Sequence, residues 1–196
     1  VSFDAAALVD CYACGVHAAN RAPDVRGDVV AIIGAGAIAM TLGQVLKARG
    51  AGTVVLVGTR RQPVDVAIAA GSADIGVVTS EQDPVGAVID ATDGEGAAVT
   101  FETVGGQTQL IQQAVEMTRR AGVVSVLGLF TKAQTVDPVV AMEKEISIQW
   151  SNSFSTFNGE SEFATALGLI VSGSVDPGLI VTDHFSFDEI GEAFAT

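Results

Sequence analysis

Val29-Val30-Ala31-Ile32-Ile33-Gly34-Ala35-Gly36-Ala37-Ile38-Ala39 reads as a buried strand, a tight glycine turn and the first turn of a helix. Five consecutive apolar residues suit a strand covered on both faces. The Gly-x-Gly-x-x-Ala pattern then gives each small residue a task. Gly34 permits the sharp turn, Gly36 lets the backbone come close to a bound group, and Ala39 lets helix and strand pack tightly. An amphipathic stretch follows as far as Lys47-Ala48-Arg49-Gly50. A helix start offers free N–H groups and the positive end of the helix dipole, which suits a pyrophosphate. The expectation is a dinucleotide site that includes Gly34, Gly36, Ala37 and Ile38.

Outward from this run, strand-like and helical patterns alternate. The strands expected are Val29–Ile33, Thr53–Val57, Ile75–Val78, Ala98–Glu102, Val123–Leu127 and Glu145–Trp150. The helices expected between them are Ala37–Arg49, Val64–Ala70, Pro84–Thr92, Gln107–Arg120 and Pro138–Lys144. Strict alternation implies an α/β fold with a doubly wound, six-stranded parallel sheet, the Rossmann arrangement. Arg119-Arg120 is expected to end a helix, two cations near its negative dipole end. Asp4–Asn20, rich in alanine, reads as one leading helix, and Arg21–Asp28 connects it to the first strand. Glu160–Ser172 and Asp188–Ala195 read as two late helices, the second stopping at Thr196. The whole of 1–196 is expected to be a single dinucleotide-binding domain.

Composition supports this class. The chain has 196 residues, 48% of them hydrophobic and 17% charged, which suits a buried sheet and argues against disorder. No apolar run approaches the ~20 residues of a membrane span, and the N-terminus lacks a signal-peptide pattern. A cytoplasmic location is expected. The net charge of −13 leaves no basic stripe for nucleic acid. Cys11 and Cys14 are spaced as Cys-x-x-Cys. That pattern suits redox or metal chemistry, but no second pair exists to complete a structural zinc site. Two small residues packed in one helix in a reducing compartment is the other reading.

The end of the second strand bears on the nucleotide. In the NAD-binding form an acidic side chain there accepts hydrogen bonds from the adenosine ribose. Here Thr53-Val54-Val55-Leu56-Val57 runs into Gly58-Thr59-Arg60-Arg61. A carboxylate would repel a 2′-phosphate, and Gly58 leaves room for one. Thr59 offers a hydroxyl and an N–H, while Arg60 and Arg61 offer forked donors. NADP is therefore expected in preference to NAD.

These residues resemble the coenzyme-binding part of the medium-chain dehydrogenase/reductases, the zinc-dependent alcohol dehydrogenase superfamily. The resemblance spans essentially the whole chain. It is carried by Ala7–Ala18, Gly34-Ala35-Gly36-Ala37-Ile38-Ala39, Phe101-Glu102-Thr103-Val104-Gly105, Val126-Leu127-Gly128-Leu129 and Leu179–Phe194. The glycine turn is closer to the polyol, threonine and alcohol dehydrogenase branches than to the quinone reductases. The resemblance implies a two-domain enzyme that moves hydride between nicotinamide and an alcohol or carbonyl substrate. Its GroES-like catalytic domain, with most of the zinc ligands, is not found between Val1 and Thr196. By the same resemblance Asp10 matches a zinc-proximal position, either as a ligand or as a group orienting zinc-bound water, or else it is a carboxylate favoured near a helix start. Cys14 has the spacing of a nicotinamide contact, and His17 that of a packing or phosphate-side residue. Ile38 is expected behind the nicotinamide ring and Thr103 and Val104 beside its ribose. Leu127, Gly128 and Leu129 are expected at its carboxamide, and Ser151 and Ser153 at the last contacts. The polar run Trp150-Ser151-Asn152-Ser153 departs from the family's smaller residues. A homodimer through the sheet edge is also implied. A chain with this content is expected to bind cofactor without turning over substrate. Two other readings remain open: the cofactor domain of a zinc-free quinone or enoyl reductase, and a non-catalytic nucleotide-binding module.

Overall fold

In the computed structural model, which describes residues 1–195, six parallel strands form one sheet. They are β1 (Val29–Ile33), β2 (Thr53–Gly58), β3 (Ile75–Val78), β4 (Ala97–Glu102), β5 (Thr118–Val126) and β6 (Ser147–Trp150). Their spatial order is β3-β2-β1-β4-β5-β6. The order reverses between β1 and β4, which opens a crevice at the carboxyl ends of those two strands.

Helices cover both faces because every central strand is apolar on both sides. One face buries Val30 and Ile32 of β1, Val54 and Leu56 of β2, and Val99 and Phe101 of β4. It is covered by α2 (Val9–Arg21), α3 (Ala37–Ala48), α4 (Arg61–Ala69) and α8 (Glu162–Val171). The other face buries Ala31, Ile33, Val55, Val57, Val124 and Val126 against α5 (Pro84–Asp90), α6 (Ile111–Met117) and α7 (Pro138–Glu143). Burying one such side chain is worth about 1.5–3 kcal/mol, so this two-sided apolar stack is what holds the crevice in shape.

The chain departs from the expected elements in four places. The leading helix is two: α1 (Phe3–Ala7) and α2, broken at Leu8. The helix expected over Gln107–Arg120 is only α6, and Thr118 passes directly into β5. Arg119 and Arg120 therefore lie in a strand rather than at a helix end. Arg119 pairs with Asp28 at 3.0 Å, and Arg120 with Glu145 at 3.3 Å. The cation at the end of α6 is Lys144, whose Nζ donates to the carbonyls of Val115 (3.2 Å), Glu116 (2.7 Å) and Thr118 (2.8 Å). Next, Glu160 and Ser161 precede α8 as a short strand, β8, paired antiparallel with β7 (Thr156–Phe157). Last, Asp188–Ala195 resolves into a single 3₁₀ turn at Phe187–Glu189 followed by α9 (Ile190–Ala193). The expected stop at Thr196 lies outside the described residues. Among the described residues no helix is long and apolar enough to cross a membrane.

Candidate cofactor cleft

The strand register brings part of the expected set together. Ile33 pairs with Val57 on one side and Glu102 on the other. Glu102 pairs with Val126, and Val126 with Trp150. The next residue of each strand, or its last, therefore forms one row across the carboxyl edge: Gly58, Gly34, Thr103, Leu127 and Ser151. A cleft of about 530 Å³ opens over the middle of this row, lined by Gly34–Ala39, Gly58-Thr59-Arg60, Pro63, Thr79, Thr103-Val104 and Gln113 among others.

Gly34 forms the floor. Its φ of +123° lies where side chains are strained, and a Cβ there would sit 2.2 Å from Thr103 Oγ1. Thr103 takes that space because its N–H and hydroxyl both donate to the Ile33 carbonyl, at 3.0 and 2.8 Å. Gly36 caps α3, and a Cβ on it would meet no protein atom within 4 Å. The backbone at Gly36 is thus bare toward the cleft. No side chain caps the first N–H groups of α3, so they are available to an anion. Ala39 is fully buried beneath this turn, as its small size requires. A cradle open at Gly36, ending on a twelve-residue helix, fits a pyrophosphate.

The two arginines separate. Arg60 is the extended residue preceding α4, lies on the cleft wall, and pairs with no carboxylate among the described residues. Arg61 is the first residue of α4. Its guanidinium is held by Glu81 and lies 3.6 Å from Asp65, away from the cleft lining. Gly58 has a packing reason of its own, since a Cβ there would lie 2.6 Å from Val64 Cγ2 and 3.0 Å from the Ala35 Cβ.

Leu127, Gly128, Leu129, Ser151 and Ser153 do not line the cleft but continue the row beside it. The N–H groups of Leu127 and Gly128 donate to the Glu102 carbonyl at 2.8 and 3.1 Å, and the Leu129 carbonyl accepts from Gly106 N–H at 2.8 Å. Ser151 is buried, with its hydroxyl 3.3 Å from that of Ser125. Ser153 is exposed with a φ of +57°.

The leading-helix residues have other surroundings. Asp10 is exposed in the first turn of α2. Cys11 and Cys14 are half-buried and outside the cleft lining. Burial, then the nearby Asp10 charge, pushes the Cys11 thiol up and that of Cys14 up to about 11, which keeps both protonated at neutral pH. His17 Nδ1 lies 2.7 Å from Glu162 Oε2, outside the cleft lining. Among the described residues no three His, Cys, Asp or Glu side chains gather in a way that could hold a metal ion. A zinc site is therefore not completed by these residues.

Sequence reasoning missed Pro63, Thr79, Thr108, Leu110 and Gln113 of the lining. Thr79 follows β3 directly and was accessible to the rule that ligands sit beyond the carboxyl ends of strands.

A family model described as "Zinc-binding dehydrogenase" matches residues 37–172. A sorbitol dehydrogenase of Bacillus subtilis is 28% identical over 98% of this chain and 53% of its own length. A putative D-xylulose reductase of Rhizobium meliloti is 31% identical over 99% of this chain and 54% of its own. Among solved structures, the alcohol dehydrogenase TADH from Thermus sp. ATN1 superposes with a TM-score of 0.87 over the whole chain and 55% of its own, at 22% identity. The chain spans about half the length of the curated relatives it matches.

Proposed function

Because this chain belongs to the zinc-binding dehydrogenase family, we propose that it is the cofactor-binding half of an NADP-dependent alcohol or polyol dehydrogenase of the cytoplasm. The observation that carries this reading is the cleft itself: a bare Gly36 backbone at a helix start, with Arg60, which has no carboxylate partner among the described residues, on the wall. The α3 N–H groups hold the pyrophosphate, and Thr59 and Arg60 take the 2′-phosphate. Ile38 and Val104 form the apolar walls at the nicotinamide end, beside Thr103. Leu127–Leu129, Ser151 and Ser153, beside the cleft lining, are the residues we propose meet the carboxamide. When bound, the nicotinamide supplies a carbon that accepts or donates hydride. The chain's own part is orientation and exclusion of water around that carbon. Asp10 is the residue we propose meets the family's zinc. The described residues do not complete a zinc ligand set. The same edge offers a dimer surface at β6, where Ile148 and Trp150 are exposed on an outermost strand.

Calorimetric titration with NADP and NAD tests the cofactor assignment. The Arg60→Ala variant is expected to lose about tenfold or more in NADP affinity, the scale of one charge-assisted contact, with NAD within about twofold. Equal losses for both cofactors, or tighter binding of NAD by the unaltered chain, would overturn it.

A further inference from the structure

Glu102 is a fully buried carboxyl at the end of β4 that touches no solvent. Its Oε1 accepts from the N–H groups of Val104 at 2.7 Å and Gly105 at 2.9 Å. Its Oε2 is buried without a hydrogen-bond partner among the described residues. Gly128 covers that oxygen, and a Cβ on Gly128 would come within 2.3 Å of it. The main-chain carbonyl of the same residue takes the N–H groups of Leu127 and Gly128. Glu102 thus ties together two turns, one after β4 and one after β5. Between them stands Val104, 47% exposed on the cleft wall.

We propose that Glu102 is a positioning residue for the nicotinamide end of the cleft: its carboxyl holds the turn Thr103–Gly105 through two N–H groups while packed under Gly128, and its main-chain carbonyl holds the turn Leu127–Leu129, so that Val104 is fixed before cofactor arrives. The inference rests on the cofactor reading above. Burying a carboxyl is costly unless its oxygens are satisfied, and here one is not. Burial accordingly pushes Glu102 above the ordinary carboxyl range, partly offset by the hydrogen-bonding N–H groups of Gly105 and Val104. An apolar residue would fill the space without that cost but would leave the Val104 and Gly105 N–H groups unpaired and their turn unfixed. The clasp lies at one end of the cleft only. Arg60, Pro63 and Thr79 belong to the segments that follow β2 and β3, which the clasp does not touch.

The test is Glu102→Gln. The amide keeps the size but puts an NH₂ either at Oε2, facing Gly128, or at Oε1, facing two N–H donors. NADPH and adenosine 2′,5′-bisphosphate are titrated into both proteins by calorimetry. NADPH affinity is expected to fall about tenfold, while the bisphosphate, which has no nicotinamide, stays within about twofold. A parallel fall for both ligands, or no change for either, would overturn the proposal. Amide exchange in the unaltered chain gives a second reading that needs no variant. The Val104 and Gly105 amides are expected to be protected before any cofactor is added, and free exchange there would overturn the clasp. If the unaltered chain binds neither ligand, the cofactor reading fails and takes this inference with it. The outcomes above overturn this inference alone.

Discussion

Replacing Glu162 with alanine tests how the loop after β6 is held. Glu162 opens α8 and is buried. It accepts from His17 Nδ1, Asn20 Nδ2 and Ser155 N–H, each at 2.7 Å. Asn20 in turn accepts from Arg49 Nη2 at 2.7 Å. One carboxylate therefore joins α2, α3, α8 and the segment that follows Ser153. Hydrogen bonds to a charged acceptor are each worth about 1.5–3 kcal/mol. His17 and Asn20 are only partly buried and Ser155 is exposed, so water recovers a share when the acceptor is removed. The expected loss is about 3 kcal/mol, near the low end for breaking a buried pair. For a domain of this size that lowers Tm by about 6–12 °C. The loss should also depend on pH. Burial alone raises a carboxyl, but the donors Asn20, Ser155 and His17 outweigh it and hold Glu162 below its ordinary value of 4.5. The folded state thus binds fewer protons than the unfolded chain in that range. The stabilisation is complete above the ordinary value and fades as pH falls through the lowered folded value. Urea denaturation of both proteins, followed by circular dichroism from pH 7 to pH 3, measures the gap. A gap under about 1 kcal/mol at pH 7, or one that does not shrink on acidification, would refute the network's role.

Two other outcomes are expected. Gly34→Ala places a methyl 2.2 Å from Thr103 Oγ1 at a φ of +123°, so urea denaturation should show a loss of about 3 kcal/mol from strain and overpacking together; a loss under about 1 kcal/mol would show that the turn relaxes freely. Trp150→Lys puts a charge on the exposed edge strand, so sedimentation should show the unaltered chain as a dimer and the variant as a monomer; a dimer that survives the change would rule out this edge.

The centre of the fold was legible because its strands are apolar runs between strong breakers. Val29–Ile33 and Ile75–Val78 form where the pattern places them. The start of β5 was not legible. Thr118-Arg119-Arg120-Ala121-Gly122 carries no strand periodicity, and its left-handed Ala121, at φ +55°, suits a break. It becomes strand by pairing with β4 across an irregular register between Ala97 and Val99, a tertiary effect that local propensity does not encode. The arginines show the same limit on a smaller scale. Arg60 and Arg61 are equivalent in the sequence, yet α4 begins between them. The extended residue stays on the cleft wall, while the helical one meets Asp65 one turn on and Glu81 beyond it.

The two buried carboxylates had no signal in the sequence, because acidic residues are usually solvated. Their surroundings nevertheless separate their uses. Glu162 has donors on both oxygens and is held below its ordinary value, so its charge is compensated and contributes to stability. Glu102 has donors on one oxygen, an orphan on the other, and a raised value. A group that costs free energy where it stands needs a reason other than stability. For Glu102 that reason lies in the two turns it joins, one of which forms a wall of the cleft that the Gly34–Gly36 turn opens.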